Sequence, residues 1–321
     1  MSIAHLGVVI PVHGPLDEAV QGLLTSLIGP DVSAAERPGA VVVVDDASPE
    51  PLDPAALPAG AELVRRPRNG GFGAAVNTGL AHLADHGAAD GGGIDLALVL
   101  NSDLEIPPGF AANLVVHAAP WQPAVVGSRI IGPDGMSGHA ARFFPTTSQQ
   151  VIEWLVPLAS QRHRDVLHRA VGHDLSADRG HGMIPVDWVS GAVLLLPLAQ
   201  VREAGGFDEG YFMYCEEVDL QLRLRARGIP ALLDADLTAI HVGGGSAGNE
   251  ARRRRWLLGA RLRYARKHGS IHALRMGLTA ASCANLLWNT GRRAAGRDVN
   301  PVAVAREELG LIHRAGRELP R

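Results

Sequence analysis

Aromatic residues are scarce, 4% of the chain, so Ala, Val, Leu and Gly must fill the core. Lysine is nearly absent. Lys267 is the only one, and arginine carries the remaining positive side-chain charge, a bias we attribute first to a GC-rich genome. The two cysteines, Cys215 and Cys283, form no Cys-x-x-Cys pair. A disulfide framework is therefore not expected, and a reduced cytoplasmic protein is. The N-terminus lacks a basic run followed by an apolar core, so no signal peptide is expected. Long apolar runs are missing too. A membrane span needs about 18 apolar residues, and the longest candidate, residues 271–288, contains His272, Arg275, Ser282 and Asn285. It could lie on a membrane but should not cross one. A net charge of -3 argues against nucleic-acid binding by bulk electrostatics.

What remains is ordinary globular chemistry in 321 residues, enough for one large domain with an appendage or for two small domains. LGVVIPV (residues 6–12), AVVVVDD (40–46) and DLALVLNSD (95–103) read as buried strands, with a short one at 62–64. Residues 16–28 have helical spacing and stop near Gly29-Pro30. Residues 69–87 read as a loop feeding a helix. Residues 146–170 read as amphipathic helix broken at Pro157, 187–197 as a strand region and 216–227 as a short helix. Strands alternating with helices imply a mostly parallel sheet covered on both faces. In such sheets ligands bind beyond the carboxyl ends of the strands. Four runs end there in reactive side chains: Pro11/His13, Asp45/Asp46, Arg65/Arg66 and Asn101/Asp103.

Each of these residues also has a structural explanation. Asp45 and Asp46 can accept hydrogen bonds from a base or ribose, but Asp-Asp-Ala-Ser-Pro is also good turn sequence. The loop containing Asn69, Gly70 and Gly71, with Gly73 and Asn77 behind it, is a partial match to a phosphate loop. Its glycines could equally serve left-handed conformations. Asp103 can hold a hard divalent cation or cap a turn. His241, beside the glycine-rich stretch 241–250, is a metal-ligand candidate. Residues 205–228, GGFDEGYFMYCEEVDLQLRLRARG, form the most specific segment. There an aromatic loop delivers Glu216, Glu217 and Asp219 to a helix start. Acids in a first turn also stabilise the macrodipole, and Asp219 forms an i,i+4 pair with Arg223.

In this order the pieces VVIPVHG, VVVVDDASPE, NGGFGAAVNTGL, LNSDLEIPPG, SGAVLLLP, GGFDEGYFMYCEEVDLQLRLRARG and IHVGGGS resemble glycosyltransferase family 2 over roughly residues 6–246. ARFFP, DWVSGA and YFMYCEEVDL look like the bacterial rhamnosyltransferases of cell-wall and polysaccharide assembly. The resemblance implies an α/β GT-A fold, Rossmann-like, with a mostly parallel sheet, helices on both faces and a C-terminal helical extension. It sets the boundary at a GT-A domain of residues 1–246 and a basic helical extension of residues 247–321.

The family roles that follow are these. Asp45 reads the pyrimidine base. Pro11, Val12, Asp46, Asn69, Gly70, Gly71, Asn77, Asn101 and Ser102 join it around the donor. Asn101-Ser102-Asp103 stands for the Asp-x-Asp motif, with Asp103 as the surviving carboxylate. His241 completes the shell of a divalent cation, Mn or Mg. Glu217 falls where the family's general base stands, with Glu216 as competitor, although Glu replaces the usual Asp. Asp187, Trp188 and Gly191 face the acceptor. The donor is a dTDP- or UDP-linked sugar, and the acceptor is a glycan or a polyprenyl-diphosphate-linked glycan. A single displacement inverts the anomeric centre.

A catalytically degenerate nucleotide-sugar-binding protein is the alternative. A dinucleotide-dependent oxidoreductase is disfavoured, because its glycine fingerprint should follow the first strand. The tail from Arg252 interleaves arginines with Trp256, Leu257, Leu258, Leu262 and Tyr264. It reads either as a basic amphipathic helix on the inner face of the membrane or as a packing helix with a solvated arginine face.

Overall fold

A computed structural model of the chain describes residues 2–86, 93–161, 163–243 and 250–315. The strands in chain order are β1 (Leu6–Val12), β2 (Ala40–Asp45), β3 (Ala61–Arg65), β4 (Leu96–Leu100), β5 (Leu104–Glu105), β6 (Val125–Ile131), β7 (Ala141–Arg142), β8 (Met183–Val186), β9 (Trp188–Val189), β10 (Val193–Pro197) and β11 (Ala231–His241). The α-helices are α1 (Glu18–Ile28), α2 (Phe72–His86), α3 (Phe110–Ala118), α4 (Thr147–Trp154), α5 (Asp165–Ala170), α6 (Leu175–Asp178), α7 (Leu198–Glu203), α8 (Glu216–Arg225), α9 (Glu250–His268), α10 (Ile271–Ala294) and α11 (Pro301–Ala315). They fall into two compact units. One comprises Met1–Arg142, Ser176–Phe212 and Glu216–Gly248; the other comprises Phe143–Leu175, Met213–Cys215 and Asn249–Arg321.

The first unit is a mixed sheet in the order β3-β2-β1-β4-β10-β6-β11-β5, with β8 alongside β11. β3, β2, β1 and β4 are mutually parallel. β10 enters antiparallel between β4 and β6, and β11 runs parallel to β6. β1, β2 and β4 are valine- and leucine-rich and buried along almost their whole length, as strands covered on both faces must be. Val12 pairs with Asp45, and Asp45 with Arg65, so the strand ends lie side by side at one edge.

Glycines let α2 lie close to this sheet. A Cβ on Gly79 would come within 2.4 Å of Val9 Cγ1, and one on Gly7 within 2.5 Å of Leu83. The central strands β6 and β11 are absent from the sequence reading. Gly127, Ser128 and Arg129 interrupt the apolar run of β6, and Asp234 and Asp236 that of β11. Asp234 is nonetheless buried. It lies 2.7 Å from His117 Nδ1 and accepts the backbone N–H groups of Asp236 and Leu237 where β11 bulges.

In the second unit α9, α10 and α11 pack around Leu258, Leu262, Leu274, Leu278, Leu311 and Ile312, with Trp154 of α4 against them. Residues 143–175 thus belong with the C-terminal helices, beyond the boundary drawn from sequence. Asn285 is the polar centre. Its side chain accepts from Val156 N–H at 2.8 Å and donates to Trp154 C=O and to the buried Glu308 carboxylate.

Of the two readings of the tail from Arg252, α9 is the packing helix. Leu258, Leu262 and Tyr264 are buried, so its apolar face is spent on packing, while Arg261 pairs with Glu153 and Arg254 lies over the Trp154 ring. Of the glycine-rich stretch 241–250, residues 244–249 lie outside the described residues.

The close approach at Gly79 gives a test. Gly79→Ala overpacks α2 against β1 and should cost about 1–3 kcal/mol, read as a lower urea midpoint at unchanged m-value.

Candidate active site

The strand edge is organised by two adjacent carboxylates. Ala47 takes a left-handed φ of 55°, which folds the turn back onto β2. Asp45 Oδ1 then accepts the Ser48 N–H at 2.7 Å, and Oδ2 accepts the Leu52 N–H and an Arg65 guanidinium N–H. Burial pushes this carboxyl up, but the hydrogen bonds from Ser48, Leu52 and Arg65 outweigh it and hold the pKa below the usual range. No part of Asp45 is exposed, and both oxygens are engaged. Through these bonds Asp45, the expected reader of the base, holds the turn that follows β2.

Asp46 does the corresponding work on the next loop. It accepts the N–H groups of Gly70 at 3.1 Å and Gly71 at 2.9 Å, and pairs with Arg66. Its own N–H donates to Val12 C=O, and its C=O lies 3.1 Å from His13 Nδ1. Asn69 Oδ1 also accepts from Gly71 N–H. Gly71 has a φ of +83°, and a Cβ there would lie 1.7 Å from Phe212 C=O, so only glycine fits. Pro11, half-buried, and Val12, buried, end β1 beside this turn.

Asn77 is placed differently from its expected donor role. Its carboxamide accepts Phe207 N–H at 2.8 Å and donates to Phe207 C=O and Glu209. It buckles α2 to the Gly205–Gly210 turn and has no donor left for a ligand.

At the end of β4, Asp103 Oδ1 lies 3.0 Å from His241 Nε2, and Asn101 Nδ2 lies 3.4 Å from the same nitrogen. Pairing of β5 with β11 brings them together, with His241 opposite Leu104. The hydrogen bond that His241 donates to Asp103 raises the His241 pKa, burial opposes it, and the Asp103 charge adds to the rise. One carboxylate oxygen and one imidazole nitrogen, both partly exposed, suit a divalent cation that keeps open positions for a ligand. Ser102 is half-buried between Asn101 and Asp103.

Glu216 and Glu217 start α8. Tyr214 and Cys215, just before it, hold φ values of 74° and 65°, left-handed for non-glycine residues. Gln221, one turn further along α8, clamps β9: its Oε1 accepts Val189 N–H, and its Nε2 donates to Val189 C=O, both at 2.8 Å. The clamp sets Gly191 against Glu217, where an added Cβ would lie 3.5 Å from Glu217 Cγ. Glu217 Oε2 is buried and accepts no hydrogen bond among the described residues. Burial raises the Glu217 pKa; the backbone N–H groups of Glu217, Val218 and Gly191 and the Arg142 charge oppose the rise only in part.

Arg142 sits over the buried Trp188 ring at 5.6 Å, and Arg142 pairs with Trp188 across β7 and β9. Asp187 accepts from Arg225. Trp188 and Gly191 are therefore near Glu217, while Asp187 is committed to an arginine on the far turn of α8.

Asp219 is structural. Fully buried, it pairs with Arg223, whose other nitrogens donate to Ala204 and Gly206 C=O. The sequence reading passed over Arg142 and Gln221. Arg142 lies within ARFFP and Gln221 one turn after Glu217 on α8, but only the pairing of β7 with β9 shows that both act around Glu217.

The short turn 190–192 joins the two halves of the site. Asn101 N–H donates to Ala192 C=O at 3.0 Å, and Gly191 touches Glu217. The Asp103–His241 pair and Glu217 thus flank the same three residues.

A stability test follows from the Glu217 shift. A carboxyl with a raised folded-state pKa binds its proton more tightly in the fold than in the unfolded chain. Its contribution is therefore lost as pH rises from the ordinary carboxylate range through the raised value. Glu217→Gln lacks that loss, so at pH 8 it should unfold at a denaturant midpoint at or above wild type. The difference should shrink towards pH 4.

Residues 8–163 match the family model described as Glycosyl transferase family 2. The N-acetylglucosaminyl-diphospho-decaprenol L-rhamnosyltransferase of Mycobacterium tuberculosis (strain ATCC 25618 / H37Rv) is 32% identical over 209 residues, 61% of this chain and 64% of that protein. Rhamnosyltransferase WbbL of Escherichia coli (strain K12) is 43% identical over 56 residues, 17% of this chain and 21% of that protein. The alignments thus span under two thirds of the length of these curated relatives. Among solved structures, a crystal structure of GalNAc-T7 with UDP, GalNAc and Mn2+ superposes with a TM-score of 0.55 at 14% identity, over 86% of this chain and 50% of that one. At that identity the likeness is one of fold. Residues 8–163, about half of the chain, thus resemble glycosyl transferase family 2, and the fold is of the GT-A class.

Proposed function

We propose that this chain is an inverting, metal-assisted glycosyltransferase. It moves a sugar, rhamnose by likeness to its named relatives, from a dTDP- or UDP-linked donor to a hydroxyl of a polyprenyl-diphosphate-linked glycan. The observation that carries this reading is the 190–192 turn, which has an Asp–His cation pair on one side and an under-bonded buried carboxylate on the other.

Asp103 and His241 would hold the cation, whose chemistry is to neutralise charge on the leaving diphosphate. Asp46 fixes the Asn69–Gly70–Gly71 loop beside the strand ends, where the donor nucleotide binds. Glu217 Oε2 takes the proton from the acceptor hydroxyl as that oxygen attacks the anomeric carbon. Burial makes Glu217 a stronger base than an ordinary carboxylate, and the Arg142 charge offsets part of that rise. Gly191 leaves room for the acceptor, and the Trp188 ring supports Arg142 from below.

The test is turnover of purified protein with nucleotide sugars. Glu217→Gln should lose at least ~100-fold in turnover with donor binding retained, in line with general-base contributions. Asp103→Ala should lose metal-dependent donor binding. In wild type the acid limb of the pH–rate profile should lie above the ordinary carboxylate range. Full turnover in Glu217→Gln with Glu216→Gln inactive would move the base by one residue.

We also propose peripheral contact with an anionic membrane, through α10 in place of α9. Met276, Ala280, Cys283 and Leu287 form an exposed stripe at helical spacing, with Met276 69% and Leu287 75% exposed. Arg292 and Arg293 follow in the last turn. No helix among the described residues is long and apolar enough to cross a membrane. Co-sedimentation with anionic liposomes at low salt should be lost on Met276→Glu with Leu287→Glu. If wild type stays in the supernatant, the membrane contact fails and the transferase reading stands.

A further inference from the structure

Away from the Asp103–His241 pair, three ligand-type side chains converge on the flank of the sheet. Glu62 is the second residue of the edge strand β3, and its carboxylate sits between two imidazoles of α2. His82 Nε2 lies 2.9 Å from one oxygen and His86 Nε2 lies 2.8 Å from the other. The histidines stand at i and i+4, stacked edge to face with centroids 4.9 Å apart. One ligand atom from each of the three residues falls within 4.8 Å of the others. In a tetrahedral site with bonds of about 2.0–2.1 Å, neighbouring donors stand about 3.3 Å apart, so slight opening of the two hydrogen bonds makes the fit.

The surroundings favour a cation. His86 is the last residue of α2, where the helix carbonyls concentrate negative charge. Partial exposure of all three side chains leaves a path in and room for a water as fourth ligand.

We propose that Glu62, His82 and His86 form a second cation site, for a zinc-class divalent ion, that staples the edge strand β3 to the last turn of α2. Two imidazole nitrogens and one carboxylate select a borderline transition metal over magnesium or calcium, which prefer oxygen. Glu62 lies towards the amino end of β3, while Arg65 and Arg66 lie at its carboxyl end. α2 likewise runs from the Asn69–Gly71 loop to His86. The staple therefore closes the far end of the β3–α2 pair whose near end carries the donor loop. It rests on no assumption about the reaction.

The experiment uses the full chain, without a polyhistidine tag and stripped of metal. Zinc is titrated by calorimetry, thermal unfolding is followed against zinc concentration, and cobalt is used as a spectroscopic stand-in. In wild type and in Asp103→Ala with His241→Ala, zinc should bind at one equivalent to the staple and raise Tm with concentration. Cobalt should give the visible absorption of a four-coordinate site containing nitrogen. His82→Gln and Glu62→Gln should each weaken zinc at least about tenfold, since loss of even an outer-shell partner costs ~10–100-fold. Undiminished zinc affinity and Tm shift in both variants would overturn the proposal. So would loss of all zinc binding in Asp103→Ala with His241→Ala while Glu62, His82 and His86 are intact.

Discussion

The Asp46 carboxylate collects the N–H groups of Gly70 and Gly71 and the Arg66 guanidinium, and those three bonds hold the loop before α2 at the end of β2. Asp45 draws the other way, onto Ser48, Leu52 and Arg65. Two neighbouring acids thus fix two loops from one strand end, each with its own arginine from the end of β3. A buried carboxylate needs such partners, because an uncompensated charge there costs several kcal/mol. The bonds that satisfy the acids also shape the edge proposed to bind the donor, so stability and pre-organisation have the same source.

How much of this could be read from sequence depended on whether a signal was local. β1, β2 and β4 are unbroken apolar runs, and the ordered motifs led to the family. β6 and β11 were passed over because Arg129 and Asp234 look wrong for central strands. Both are satisfied only through tertiary partners: Arg129 by the carbonyls of Asp178, Gly180 and Ala235, and Asp234 by His117 and two backbone amides. Asn77 had the right type and neighbourhood for a ligand contact, but the Gly206–Phe207 turn, 130 residues away in sequence, takes up its amide. The apolar residues of α9 suited a membrane face equally well until the packing partners on α10 and α11 were known.

The region before α8 departs furthest from local preference. Two successive non-glycine residues are left-handed, the first turn of α8 carries three acids, and Glu217 among them has a buried oxygen without a hydrogen-bond partner among the described residues. Gln221, Asp219 and Arg223 bind the same helix firmly to β9 and to the Gly205–Gly206 turn. Strain in the backbone and a destabilised carboxylate persist because the rest of the helix is over-determined.

β10 is the one reversed strand in the middle of the sheet. Every neighbouring long strand presents its carboxyl end to the reactive edge, whereas β10 presents its amino end, so residues 187–192 arrive there from a later part of the chain than residues 45–103. The edge is thus written twice in the gene, once by strands going out and once by a strand coming in. Residues 187–192 are held by Gln221, Arg142 and Glu217 rather than by the register of β1, β2 and β4. On the function proposed above, a lineage of such proteins changes its acceptor through the incoming strand while the outgoing strands keep the donor side.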